Sequence, residues 1–396
     1  MSESINTANN LRNKVAIVGV GESDIGKVPG MSGLGLNAQA ARRALDDAGL
    51  KVSDIDGVLT AYSFTEPYFM LGSVICEYLG IQPRYNASMV VGGASPAVML
   101  KHAAEAIAAG QCHTVLVCAG ENRATGQSRD QAVNVLLAVG HPYFERPYGG
   151  SIPGFYAMIA RRHMEKFGTT EEQLASVAVT ARQHALLHPN AHMKKAITLD
   201  DVMNSKPIAD PLKMLDCCLL SDAGGAFIVT SAERAKDLRS APAYLAGIGE
   251  FHTHEHLMCA PSLTEFGARQ SGKAAYSMAG LGPSDIDVAQ LYDCFSIVPV
   301  IELEELGFCA PGEGGLYYQE GHARIGGTMP VNTHGGMLSH AHAGAAGGLF
   351  GIVEGVRQLR GGLGPRQVEG AEVALVHNEG GILSSHCTLI LTKDKR

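Results

Sequence analysis

No stretch of this 396-residue chain reaches the roughly 18 uninterrupted apolar residues that a membrane-spanning helix needs, so no transmembrane helix is expected. The first dozen residues are polar and carry no apolar run, which predicts no signal peptide. Lysine and arginine form no run, and the formal net charge is −8, so a nucleic-acid partner is not expected. There is no Cys-x-x-Cys. The nine cysteines are an odd number, scattered, and come without secretory features; this predicts a reduced cytoplasmic protein and not a disulfide scaffold. Charged residues make up only 18% against 46% hydrophobic, which excludes a disordered chain and provides for a large core.

What the chain has in abundance is glycine, 48 residues, many of them in pairs. The pairs include Gly92-Gly93, Gly224-Gly225, Gly326-Gly327, Gly335-Gly336, Gly347-Gly348 and Gly380-Gly381. Paired glycines permit positive φ and close approach to the main chain, so they point to a site lined by backbone.

Residues 15–20 are an apolar run that reads as a buried strand. The following Gly19-Val-Gly-Glu-Ser-Asp-Ile-Gly26 has only two glycines of a dinucleotide-binding fingerprint and no immediate helix, so it reads as a strand ending in a loop. An amphipathic helix over about 35–48 stops at Gly49. Then a phrase appears that recurs later. Ala48-Gly-Leu-Lys-Val-Ser-Asp-Ile-Asp56 matches Ala279-Gly-Leu-Gly-Pro-Ser-Asp-Ile-Asp287, with Asp54 and Asp285 lying 231 residues apart. Each copy leads into an apolar strand, at 57–62 and 288–292. A looser pair is the small-residue helix 95–110 with strand 114–118, against helix 344–361 with strand 372–377. These recurrences predict an internal duplication, with halves 1–245 and 246–396. Strands alternating with helices give α/β. Residues from about 120 to 212 read as a helical and loop insertion in the first half.

The sharpest local signal is a set of glycine-flanked histidines, Asn332-Thr-His-Gly-Gly-Met-Leu-Ser-His-Ala-His-Ala-Gly344. His340 and His342 precede a helix of tiny residues, where free N–H groups and the helix dipole favour a neutral imidazole able to act as base or donor. In the first half Val90-Val-Gly-Gly-Ala-Ser-Pro96 turns into a helix whose backbone N–H groups would suit an oxyanion. Ser95 reads as its N-cap, with a nucleophilic role the lesser alternative for want of a sequence-adjacent base. Tyr292-Asp-Cys-Phe295 and His377-Asn-Glu-Gly-Gly381 end strands, where α/β folds place site residues. Alternation puts Tyr292 and Cys294 on one face, either as proton-transfer groups or as a core tyrosine and an inert thiol. His252, His254 and His256 share a strand face but have no second ligand cluster, so no metal is expected. Cys217 and Cys218 read as core.

These residues resemble the thiolase superfamily, nearest the sterol-carrier-protein-type thiolases and the thiolase-like aldolases of steroid side-chain degradation. Tyr292-Asp-Cys-Phe295 resembles that group's His-Asp-Cys-Phe box, and His377-Asn378 its His-Asn variant of the second catalytic segment. His340 and His342 lie where the family has a Gly-His-Pro loop. Leu303-Glu-Glu-Leu-Gly-Phe308, Gly355-Val-Arg-Gln-Leu-Arg-Gly361, Pro211-Leu-Lys-Met-Leu-Asp216 and Ser221-Asp-Ala-Gly-Gly225 follow in the family's order. The resemblance implies two duplicated βαβαβ-type halves in a five-layer αβαβα arrangement, a homodimer, and coenzyme A thioesters as substrates with no permanently bound cofactor.

One departure shapes the expected activity. The cysteine that is acylated in thiolases falls on Gly93, and no cysteine lies between Cys76 and Cys112. Without that thiol the usual acyl-enzyme cannot form. The aldolases of the group share this glycine and a tyrosine in the box. They cleave β-hydroxyacyl-CoA by retro-aldol reaction with a small partner that carries an OB-fold and a zinc-binding segment. The expected site is therefore Tyr292, Cys294, His342 and His377 as catalytic groups, with Gly93 and Gly380 supplying backbone to an oxyanion. His340, Asn378 and Ser95 are secondary candidates. The alternatives are an acetyl-CoA C-acyltransferase with an atypical nucleophile such as Cys294, or a non-catalytic acyl-CoA-binding subunit.

Overall fold

A helix backbone can lie directly on a strand where the strand carries no side chain at the contact, and this chain arranges that twice. The computed structural model describes residues 11–396; the polar segment 1–10 read above for a signal peptide lies outside the described residues. The main sheet consists of β1 (Val15–Glu22), β2 (Gly57–Ala61), β3 (Tyr85–Met89), β4 (Thr114–Asn122), β5 (Asp222–Ser231), β6 (Ala243–His252), β7 (Val288–Gln290), β8 (Val373–Gly380) and β9 (Ser385–Thr392). Their order is β3-β2-β4-β5-β1-β6-β9-β8-β7. The principal helices are α1 (Gly33–Ala48), α2 (Leu71–Leu79), α3 (Ser95–Ala108), α4 (Ile152–Phe167), α5 (Glu171–Leu187), α6 (Ala268–Ala279), α7 (Ile297–Glu305) and α8 (Gly347–Arg360).

Apart from the additional edge strand β3, the order is symmetric about the β1·β6 contact, which consists of the pairs Ala16–Tyr244 and Ile17–Ala243. On one side β2 runs parallel to β4, and β4 antiparallel to β5. On the other side β7 runs parallel to β8, and β8 antiparallel to β9. The repeated phrases occupy equivalent turns, Val52–Asp54 and Pro283–Asp285. Asp54 accepts the Lys51 N–H and Asp285 the Gly282 N–H, each at 2.8 Å. Asp56 then accepts the N–H of Thr114 as β4 starts, and Asp287 that of Val373 as β8 starts. Since β6 begins at Ala243, a break after residue 245 would cut this strand. Likewise β4 continues to Asn122, so the inserted helices follow it.

Glycines explain the close layering. A Cβ on Gly19 or Gly21 of β1 would sit 2.3 Å from the carbonyl oxygens of Ala44 and Ala40 on α1. On β6, Gly247 and Gly249 would meet Ala275 and Ser271 oxygens of α6 at 2.1 and 2.0 Å. The Gly19–Gly21 pair is thus a helix-packing device and not part of a phosphate loop. Alternation along β1 sends Val15 and Ile17 into a middle core with α3 and α8, and Ala16 and Val18 into an outer core with α1 and α2. A third core joins α4, α5, α6 and α7 to the other face of the second half. Both halves of the sheet thus turn one face to the middle helices and the other to an outer helical layer, so through the middle of the fold the order is helix, sheet, helix, sheet, helix. Among the described residues no helix is long and apolar enough to cross a membrane.

Candidate active site

The two middle-layer helices bring two glycine turns into contact. Gly92, at φ +55°, has no room for a side chain: its Cβ would lie 2.6 Å from Gly381 N and 2.8 Å from Gly380 Cα. A Cβ on Gly380 would lie 2.1 Å from Val91 O. The turn entering α3 therefore rests on the turn leaving β8, backbone on backbone. At the start of α8, Gly348 would meet Gly93 O at 2.6 Å and Asn378 Oδ1 at 2.8 Å. Gly93 faces Tyr292. A Cβ there would be 2.1 Å from the phenol oxygen and 2.2 Å from Cζ. The phenol fills the volume that a side chain at position 93 would take.

Ser95 does not cap α3. Ala94 holds that position, while the buried Ser95 hydroxyl donates to Gly92 O at 2.7 Å and accepts Val91 N–H at 2.9 Å. It secures the glycine turn, because a turn with no side chains needs its polar groups tied from a neighbour.

Tyr292 is 5% exposed and its backbone N–H donates to Glu302 Oε2 at 2.9 Å. Burial first, then the acidic groups of Cys294 and Glu379, raise its pKa well above the ordinary phenol value. It is held as a neutral donor, which argues against Tyr292 as the resting base. Cys294 donates to Glu379 Oε1 at 3.3 Å, and Tyr156 donates to the same oxygen at 2.6 Å. Burial and Glu379 push the Cys294 thiol well up, so it is a poor nucleophile. Burial also raises Glu379 to about 7.

His342 lies on the opposite side. Its Nδ1 donates to Leu219 O at 3.2 Å, with Cys218 Sγ at 3.4 Å. That bond fixes the tautomer and leaves a lone pair on Nε2. Burial, then the Arg123 guanidinium, lower its pKa to about 4. Its ring reaches the start of α8, where a Cβ on Gly347 would lie 2.8 Å from Cδ2. Gly347 and Gly348 thus separate His342 from Gly93 by one residue step. The loop is shaped by Asp293, which accepts Met337 N–H at 2.6 Å.

Two expected residues lie elsewhere. Strand alternation turns Asn378 toward Gly348 and sends His377 to the other face. There His386 Nε2 donates to Leu383 O, so His377 Nε2 donates to His386 Nδ1 at 3.1 Å and Nδ1 accepts from Thr388. Both nitrogens are engaged, so His377 has none left for a substrate; it stands behind the site, 3.7 Å from Glu302 Oε1. His340 is buried against Glu22, with Nε2 3.1 Å from its Oε1. Glu22 also binds Arg357 at 2.9 Å. His188, His340 and Glu22 each place a ligand atom within 4.8 Å of the others. However, His188 Nδ1 accepts Asn190 N–H, which puts its proton on Nε2 facing Glu22. With Arg357 beside it, this is an ionic hub and not a metal site. His252, His254 and His256 do not converge: they contact Glu250, Ile382 O and the His141 ring respectively. Cys218, read as core, faces His342 instead.

Sequence reasoning missed Glu379, although it adjoins His377-Asn378 and ends the same strand. It also missed Tyr156 and Arg123, which reach the site from the insertion and from the loop after β4 and carry no local motif.

Comparison with known proteins then places the chain. The family described as Thiolase C-terminal domain-like matches residues 249–393. An acetyl-CoA acetyltransferase of Methanothermobacter thermautotrophicus is 34% identical over 372 residues, covering 93% of this chain and 96% of the relative. The chain belongs to the thiolase superfamily. The 17-hydroxy-3-oxo-4-pregnene-20-carboxyl-CoA lyase of Mycobacterium tuberculosis is 35% identical over 390 residues, covering 95% of this chain and 98% of the lyase. Among solved structures, one described as the Ltp2-ChsH2(DUF35) aldolase superposes with a TM-score of 0.86 at 34% identity, over 98% of this chain and all of that one.

Proposed function

We propose that this thiolase-superfamily enzyme cleaves a carbon–carbon bond of a β-hydroxyacyl-CoA by retro-aldol reaction, without an acyl-cysteine. The observation that carries this reading is the Tyr292 phenol filling the space of a side chain at Gly93. Where a thiolase needs a nucleophile, this site offers a proton donor. The similarity to a lyase and an aldolase supports it.

Retro-aldol cleavage needs a base for the β-hydroxyl and a donor for the enolate, and no nucleophile. His342 Nε2, with its free lone pair, takes the β-hydroxyl proton. The Cα–Cβ electron pair moves into the thioester enolate, and the β-carbon leaves as a ketone. The Tyr292 hydroxyl gives its proton to Cα, and the proton on His342 returns to Tyr292 through solvent. Asn378 and the Gly93 and Gly380 backbone line the thioester slot. Cys294 and Glu379 hold Tyr292 in its neutral form, and Glu302 accepts its backbone N–H from behind. Acyl transfer, the activity named for the acetyltransferase relatives, would require a thiolate. Burial pushes both the Cys294 and the Cys218 thiols up, which disfavours it.

The substrate is an acyl-CoA, and no permanently bound cofactor belongs to this mechanism. Two associations accompany it. The edge strand β3, flanked by exposed Phe69, Met70, Tyr78 and Val90, suits a second copy of the chain. A small partner with an OB-fold and bound zinc would complete the substrate channel.

The test is incubation with a β-hydroxyacyl-CoA carrying a bulky ketone-forming group, with and without the partner, assaying ketone and shortened acyl-CoA. Thiolysis of acetoacetyl-CoA should be negligible, and radiolabelled acetyl-CoA should leave no acyl group on residues 90–97. Robust thiolase turnover by the unmodified chain would overturn the reading.

A further inference from the structure

We propose that Arg123, together with His342 Nε2, forms a recognition corner for the β-oxygen of the acyl chain, resting on the retro-aldol reading above. Arg123 follows β4 and its side chain is 5% exposed. A guanidinium taken out of water normally finds carboxylate or carbonyl partners for its five N–H groups. This one makes no side-chain hydrogen bond among the described residues: the Glu121 carboxylate stays 3.8 Å away, Oε2 to Nη1, and Nε is enclosed without a partner. The ring of Phe64 lies under it, with Cζ 5.1 Å from the centroid.

The neighbours of Arg123 are those of the reaction centre. Its charge acts on His342, Cys218 and Tyr62. Gly344, held at φ +56° just before α8, lets the Glu121 carboxylate come up against the loop beside Arg123: a Cβ there would fall 2.0 Å from Glu121 Oε2 and 3.7 Å from Arg123 Nη1. His342 presents its unpartnered Nε2 from the same loop. A hydroxyl placed between them would donate to Nε2 and accept from the guanidinium.

Charge decides between a neutral oxygen and a carboxylate. Burial raises the Glu121 carboxyl above its ordinary value, while the Arg123 guanidinium and the N–H groups of Phe64 and Thr65 that Oε1 accepts draw it back toward the ionised form. Arg123 and Glu121 are then neutral as a pair, and a second carboxylate would face Glu121. A β-hydroxyl fits, and as its proton leaves for His342 the guanidinium meets the developing alkoxide. Arg123 would therefore select β-oxygenated chains and also favour the bond-breaking step.

The experiment is equilibrium binding of 3-hydroxybutyryl-CoA and butyryl-CoA, which differ only in that oxygen, to the unmodified protein, Arg123→Met and Arg123→Lys. The unmodified protein should prefer the hydroxylated ligand about tenfold, as for a single charge-assisted hydrogen bond. Arg123→Met should lose the preference while butyryl-CoA affinity stays within about twofold, and Arg123→Lys should keep part of it. Absence of a preference in the unmodified protein, its persistence in Arg123→Met, or equal weakening of both ligands would overturn the corner. The retro-aldol reading would still stand on its own cleavage assay. Failure of either acyl-CoA to bind at all would overturn both.

Discussion

At the scale of single residues, the site is governed by what Gly93 leaves room for. Gly93→Ala removes no reactive group, yet its Cβ collides with the Tyr292 ring, so turnover should fall by at least ~100-fold, as expected when a catalytic group is displaced by about 1 Å. A steady-state assay and a melting curve on the same variant separate this from global unfolding. Tyr292→Phe keeps the ring and deletes the donor, so the rate should fall ~10²–10⁴-fold with the substrate KM little changed. A Tyr292→Phe enzyme that retains full turnover would exclude the phenol as proton donor. Tyr292, Gly93 and His342 were legible in the sequence because each sits on a glycine turn or a strand end. His377 was misplaced because the end of a strand says nothing of which face a side chain takes. Alternation sets that face, and Asn378 took the inner one. Arg123 and Tyr156 had no signal, since their neighbours in space are far away in sequence.

At the scale of elements, the duplication was readable because it is written in turn chemistry. Asp54 and Asp285 close the same 3₁₀ turn, and Asp56 and Asp287 each tie down the start of the neighbouring parallel strand. The glycine pairs of β1 and β6 carry the same message less visibly, because Gly-x-Gly also suggests a phosphate loop. Their common purpose is helix-on-strand contact. Gly21→Ala and Gly249→Ala would push a methyl group against Ala40 O and Ser271 O, at 2.3 and 2.0 Å before relaxation. Each should destabilise the fold by about 2–4 kcal/mol, as overpacking against rigid backbone does at its upper range. Urea denaturation of both variants checks this. A loss in only one half would mean that the two contacts, similar in geometry, are not similar in energy.

For the whole molecule, the middle layer joins the halves at a site rich in buried acids and buried imidazoles, and these give stability two opposing dependences on pH. Burial depresses the imidazoles, with His342 and His386 both near 4, so folding must hold them neutral. Their contribution is present above the ordinary histidine value and is lost as pH falls toward 4. Glu379 runs the other way. Burial raises it from 4.5 to about 7, so the native state keeps a proton that the unfolded chain gives up. Its contribution is fully present below about pH 4.5 and is lost as pH rises through 7. Glu379→Gln retains the size and a hydrogen-bonding oxygen but cannot ionise, and so isolates this one group from the histidines. The difference in unfolding free energy, unmodified minus variant, should decline between pH 4.5 and 7 by about 3 kcal/mol at most, at roughly 1.4 kcal/mol per pKa unit. Denaturant titrations of the two proteins at intervals of half a pH unit give that difference directly. A flat difference would place an ionised Glu379 beneath Tyr156 and Cys294 throughout. Tyr292 would then stand next to a fixed negative charge, and its neutral, donating form would be held more firmly still.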